Sequence, residues 1–69
     1  MKVKVVYHAF SSKEIEVDDK FSLAIPAWEN GDDEVYTKLT EELHGILREN
    51  IPGDICEVFD EKDDVIYET

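Results

Sequence analysis

Positive charge is scarce in this chain. Seven Lys and Arg stand against 18 Asp and Glu, a formal charge of −11 at pH 7. A nucleic-acid backbone or an anionic membrane is recognised by clustered Lys and Arg, so direct contact with either is not expected. Cysteine is nearly absent as well. A single Cys excludes an internal disulfide framework and a multi-Cys zinc site. No apolar run approaches the ~20 residues that cross a bilayer. The opening MKVKVVYHAF interleaves Lys with apolar residues, which is not the pattern of a signal peptide. Three Gly and two Pro, beside 42% hydrophobic residues, argue against a disordered acidic tail. What remains is one small acidic domain, residues 1–69, expected to be soluble and cytoplasmic, with a core limited by its size.

The acidity is lopsided. Residues 1–20 carry four Lys and four acids and sum to zero; residues 21–69 carry Lys38, Arg48 and Lys62 against 14 acids. Such an excess opposes compaction through self-repulsion, keeps the chain soluble and steers cationic partners toward it. The plainer account is colloidal: small domains need net charge. A magnitude of about 2 to 8 usually suffices for that, and this chain exceeds it.

Residues 2–10 alternate, with Val3, Val5, Tyr7 and Ala9 on one side and Lys2, Lys4, Val6, His8 and Phe10 on the other, which predicts a strand. Ser11 and Ser12 suit a turn. Residues 13–18 alternate again, Ile15 and Val17 against Glu14, Glu16 and Asp18, and predict the second arm of a hairpin. Residues 19–31 hold Phe21, Leu23, Ile25 and Trp28 but are broken by Pro26 and closed by Asn30-Gly31. They read as a connector laid over one end of the core, with a short helical turn near Ala27. Residues 32–50 are helical by period: Val35, Tyr36, Leu39, Leu43, Ile46 and Leu47 fall within an arc of about 120°, and Glu34, Lys38, Glu41 and Arg48 fall opposite. Asp32 is the expected N-cap, Glu34–Lys38 and Lys38–Glu42 have ion-pair spacing, and Asn50-Ile51-Pro52-Gly53 is a stop signal. Residues 54–60 and 64–68 predict a second hairpin around the polar turn Asp60-Glu61-Lys62-Asp63.

The order ββαββ predicts an α+β fold, a four-stranded sheet with one helix packed across one face. The charged segment 13–18 suits an edge strand. The apolar runs at 3–7 and 65–67 suit central strands, which would make the first and last strands a parallel middle pair. That order resembles the β-grasp fold of ubiquitin-like and immunoglobulin-binding domains, in element order only. The ending Ile66-Tyr67-Glu68-Thr69 has no diglycine, so the resemblance implies no conjugation or sulfur-carrier chemistry. An antiparallel meander plus helix is the alternative.

Catalytic and ligand-binding signals are weak. Cys56, flanked by Asp54 and Glu57, reads as a small buried hydrophobe rather than a nucleophile. His8 and His44 have no metal-ligand spacing and read as surface residues; no metal or cofactor is expected. Asp60, Lys62, Asp64 and Glu68 fail the calcium-loop pattern, because Lys62 occupies its third position and Val65 its sixth. Gly45 lies inside the helix but away from its apolar arc, and Trp28, Tyr36 and Phe21 read as a lid on the core; an exposed Trp would instead be a binding anchor. Small size argues against an enclosed catalytic pocket. These readings favour a noncatalytic acidic domain that binds a basic protein surface. Candidate contacts are Asp32, Asp33, Glu34, Glu41, Glu42 and Glu49 on the helix, with Asp60, Glu61, Asp63 and Asp64 on the last turn. The strongest form of this expectation is a nucleic-acid mimic, with carboxylates replacing phosphates, as in the antirestriction and nuclease-inhibitor proteins of phages and mobile elements. The alternatives are a structural or regulatory accessory module, including a homodimer paired through strand edges, and a small enzyme.

Overall fold

A computed structural model describes residues 1–8 and 11–69. The chain runs β1 (Lys2–Tyr7), β2 (Ser11–Glu16), a 3-10 turn (Asp19–Leu23), α1 (Ala24–Glu29), α2 (Asp33–Asn50), β3 (Ile55–Phe59) and β4 (Val65–Glu68). The α+β class and the four-stranded sheet with α2 across one face are as the sequence predicts. The sheet order is β2-β1-β3-β4, antiparallel throughout.

That order corrects the expected parallel middle pair. β1 and β4 do run in the same direction, but β3 lies between them. The reason lies in α2 and the short connection after it. β2 ends beside the start of β1, and the 18-residue α2 returns the chain over roughly 27 Å at 1.5 Å per residue. Only residues 51–54 then separate α2 from β3, so β3 begins against the far end of β1, where Tyr7 pairs with Ile55. The His8 amide extends this ladder to the Asp54 carbonyl at 3.1 Å.

Two register shifts interrupt the ladders, and the second explains why the apolar run 65–67 suggested a central strand. One falls opposite Val6/Tyr7 and makes Cys56 the extra residue of β3, so that Ile55 and Val58 both enter the core. The other falls opposite Val58/Phe59 and makes Ile66 the extra residue of β4. Ile66 is buried, Val65 is left on the rim, and Tyr67 is half-buried beside α2. A bulge of this kind mimics two-sided burial in a sequence. β4 is in fact an edge strand, as is β2, where only Ile15 is half-buried. Ser11 and Ser12 belong to β2, paired with Tyr7 and Val6, and do not form the expected turn. His8 adopts φ 54°. The expected strand positions of Ala9 and Phe10 lie outside the described residues.

Val3, Val5, Val58, Leu43, Leu47 and Phe21 are fully buried and form the centre of the core. Each contributes about 1.5–3 kcal/mol of transfer free energy. The predicted apolar arc of α2 is realised around Leu43 and Leu47; Tyr36 and Leu39 flank them, while Val35 and Ile46 at the arc's margins stay exposed. The 19–31 connector is more helical than expected. Phe21, Ala24 and Ala27, spaced by three, turn inward, and Leu23 is 57% exposed. Pro26 is tolerated because it lies in the first turn of α1, where amides lack intrahelical partners.

Candidate interaction surface

The predicted acidic contacts do not form one continuous track. On α2, Glu34, Glu41, Glu42 and Glu49 share the solvent side, but Lys38 and Arg48 stand among them. Lys38 pairs with Glu34 at 3.4 Å, as its spacing predicts. Glu42 pairs with Lys20 from the 3-10 turn at 2.6 Å, in place of the expected Lys38. The hydrogen bond to Glu42 raises the Lys20 ammonium above its ordinary pKa. Asp32 occupies the N-cap position of α2 but its side chain makes no cap hydrogen bond; Asp33 and Glu34 fill the first turn, where the helix dipole favours carboxylates.

In the β3–β4 turn the four carboxylates divide. Asp60 is half-buried, and its Oδ1 accepts the amides of Lys62 at 2.8 Å and Asp64 at 2.9 Å. Glu61 Oε1 accepts the Lys2 amide at 2.7 Å and so continues the sheet ladder by a side chain. Asp60 and Glu61 therefore build the turn, while Asp63, at φ 66°, and Asp64 stand in solvent.

The fold gathers a second feature beside this turn. One groove of about 300 Å³ is bounded by Ser22, by Ile25, Pro26 and Glu29 of α1, by Asp60, Glu61, Lys62 and Asp64 of the turn, and by Met1. A neighbouring one of about 350 Å³ lies between Ile25, Trp28 and Tyr36 on one side and Val65, Tyr67 and Glu68 on the other. Ile25 lines both, and Asp64 and Val65 are consecutive, so the two hollows adjoin, one after the other, along the channel between α1 and β4. Trp28 is 62% exposed and Val65 46% exposed. The lid assignment holds for Phe21, which is buried, and is corrected for Trp28. The Trp28 and Tyr36 rings lie 5.0 Å apart, and Tyr36 is fixed because its hydroxyl donates to the Ile66 carbonyl at 2.7 Å. Tyr36 is pushed above its ordinary pKa by burial and then by the nearby Glu68 carboxylate.

The chain matches no family model, and no curated protein or solved structure shows significant similarity to it. Function therefore has to be argued from its own surface.

The remaining candidate groups are accounted for by packing. Cys56 is half-buried, and its thiol donates to the His8 carbonyl at 3.3 Å and more weakly to the Asp54 carbonyl at 3.9 Å. Neither acceptor is a base that takes the proton. The His8 ring lies on the backbone of Gly53, close enough that a Cβ there would overlap it. His44 is not a surface residue as expected: it is half-buried, with Nδ1 2.8 Å from the Tyr67 hydroxyl and its ring edge-on to the phenol. Tyr67 is pushed up to about 12, first by burial and then by Tyr36. Among the described residues no group of three or more His, Cys, Asp or Glu is placed to hold a metal ion. No described helix is long and apolar enough to cross a membrane.

The groove residues Ile25, Glu29, Val65 and Glu68 were missed as site candidates. The available signal was Trp28 itself, two residues before the turn-forming Asn30-Gly31, a poor place to bury a large ring.

Proposed function

We propose that this protein is a cytoplasmic, noncatalytic binding domain whose acidic surface takes a basic surface of another protein. The observation that carries the reading is the charge of −11, with the Asp60–Asp64 turn and Glu29 brought to one end of the fold beside an exposed tryptophan. Charge of this density steers a cationic partner and excludes anionic ones. The nucleic-acid-mimic form draws less support, because Lys38 and Arg48 interrupt the acidic side of α2 and Lys20 neutralises Glu42.

Retention of basic proteins from the native host on immobilised protein tests the reading. Binding is expected at about 50 mM NaCl and is expected to fall steeply toward physiological salt as the Debye length shrinks to ~8 Å. Release of the retained protein by added duplex DNA would mark the mimic form. Retention of no basic protein at low salt would overturn the proposal.

A further inference from the structure

We infer that the channel between α1 and β4 is the docking site for a short extended segment of a partner protein, one in which cationic residues alternate with apolar ones. The inference rests on the acidic-binding reading above and assigns it a place. Three observations carry it. The floor is apolar and partly in water: Trp28 and Val65 face solvent, although buried Phe21 and Ala24 show that the core nearby is already filled without them. The rim is mainly anionic: Glu29 and Asp64 stand at one end, where Lys62 is the one cationic side chain among the described residues that line it, and Glu68 stands at the other. Of the nearby acids, Asp60 and Glu61 are held by amides of the fold, which leaves Glu29, Asp64 and Glu68 to meet a ligand.

The form of the occupant is set by the walls. Two hollows in series, adjoining at Ile25, take two apolar side chains of one segment. In an extended chain, side chains at i and i+2 point the same way and lie ~7 Å apart, while those between them point outward. Lys or Arg at the alternate positions then reaches the rim carboxylates, and its aliphatic stem covers more of the floor. An exposed, tyrosine-braced tryptophan is the side chain that most often anchors such contacts. A second copy of this chain is a poor occupant, because it would bring another −11 against the same acidic rim.

Trp28 is the only tryptophan, so its fluorescence reads the groove directly. The probe is a hexapeptide alternating Lys and Leu, titrated into the whole protein at low salt beside one of equal charge alternating Lys and Ser. The Lys/Leu peptide is expected to shift Trp28 emission and to bind about tenfold more tightly than the Lys/Ser peptide, roughly the 1.4 kcal/mol of one modest apolar anchor. Val65→Asp is expected to remove that preference. Two double charge reversals separate groove from net charge, since both bring the protein to −7. Glu29→Lys with Glu68→Lys is expected to weaken binding of the Lys/Leu peptide about tenfold. Glu14→Lys on the opposite edge strand, combined with Asp54→Lys before the far end of β3, touches neither hollow of the groove and is expected to leave it within about twofold. Equal weakening by both pairs would overturn the docking site while leaving the broad acidic reading intact. So would equal binding of both peptides by the unaltered protein. Binding of neither peptide would overturn the docking site, and the host retention experiment would then decide the broad reading separately. A salt-independent dimer that Val65→Asp returns to monomer would place a second copy in the groove and overturn the proposal too.

Discussion

At the scale of single residues, the glycines show how position decides cost. A Cβ at Gly45 meets nothing within 4 Å, so Gly45→Ala gains helix propensity at no steric cost. It is expected to stabilise the protein by up to about 1 kcal/mol, read as a higher urea midpoint at unchanged slope. Gly53→Ala does the reverse, because its Cβ would displace the His8 ring. His8 is exposed and its ring swings aside at little cost, so a loss of no more than about 0.5 kcal/mol is expected, and it should vanish in a His8→Ala background if the ring is the cause. The tyrosines give a second residue-scale expectation. Burial raises Tyr67 to about 12 and also raises Tyr36, against an ordinary value of 10.0. As pH climbs past 10 the unfolded chain sheds phenolic protons that the native state keeps. Stability is therefore whole below pH 10 and falls through the window up to about pH 12. Phenolate absorbance should show Tyr67 titrating late, and Tyr67→Phe should flatten the decline; a Tyr67 that titrates at its ordinary value in the folded protein would contradict this.

At the scale of elements, the β3–β4 turn depends on one oxygen. Asp60 Oδ1 accepts two amides, so Asp60→Ala is expected to cost about 1–2 kcal/mol, whereas Asp60→Asn, which keeps an acceptor in the same place, should recover most of it. Chemical denaturation of the pair separates turn chemistry from charge, since both variants lose the same carboxylate. This turn was legible in the sequence as four polar residues between two apolar runs. So were α2, through its 3.6-residue period and its Asn50 stop, and the edge position of β2, through its alternating charges. Strand order was not legible. The apolar runs at 3–7 and 65–67 both suited central strands; β1 is central, but Val65-Ile66-Tyr67 forms a bulged edge strand, and the difference between that and two-sided burial is a register shift of one residue, which composition does not encode. The groove was half legible. Trp28 carried a signal of its own, but its exposure depends on Phe21, Ala24 and Ala27 turning inward, a choice fixed by packing between α1 and α2. Asp60 and Glu61 were expected among the contacts because an acidic residue that bonds the backbone looks, in a sequence, the same as one that does not.

At the scale of the molecule, self-repulsion competes with a small core. The longest dimension is 31 Å and the others are 20 Å. At about 10 mM salt the Debye length is ~30 Å, so every carboxylate feels the charge of the whole body; near 150 mM it is ~8 Å, and only neighbours interact. Unfolding spreads the charges apart and relieves the repulsion, so the native state loses more at low salt. The ion pairs that oppose this, Lys20–Glu42, Lys38–Glu34 and the N-terminal ammonium with Glu16 and Asp19, have solvent-exposed carboxylates, contribute little and are screened by the same salt. Repulsion among 18 acids outweighs them. The melting temperature is therefore expected to rise by several degrees as NaCl is raised from about 10 to 150 mM, since ~1 kcal/mol moves a domain of this size by ~4–8 °C. The rise should be smaller in either double charge reversal to −7, groove or opposite edge alike, because stability responds to total charge while groove binding responds to where it sits. A melting temperature that falls with salt would mean that local pairing, and not the excess of negative charge, dominates the electrostatics of this fold.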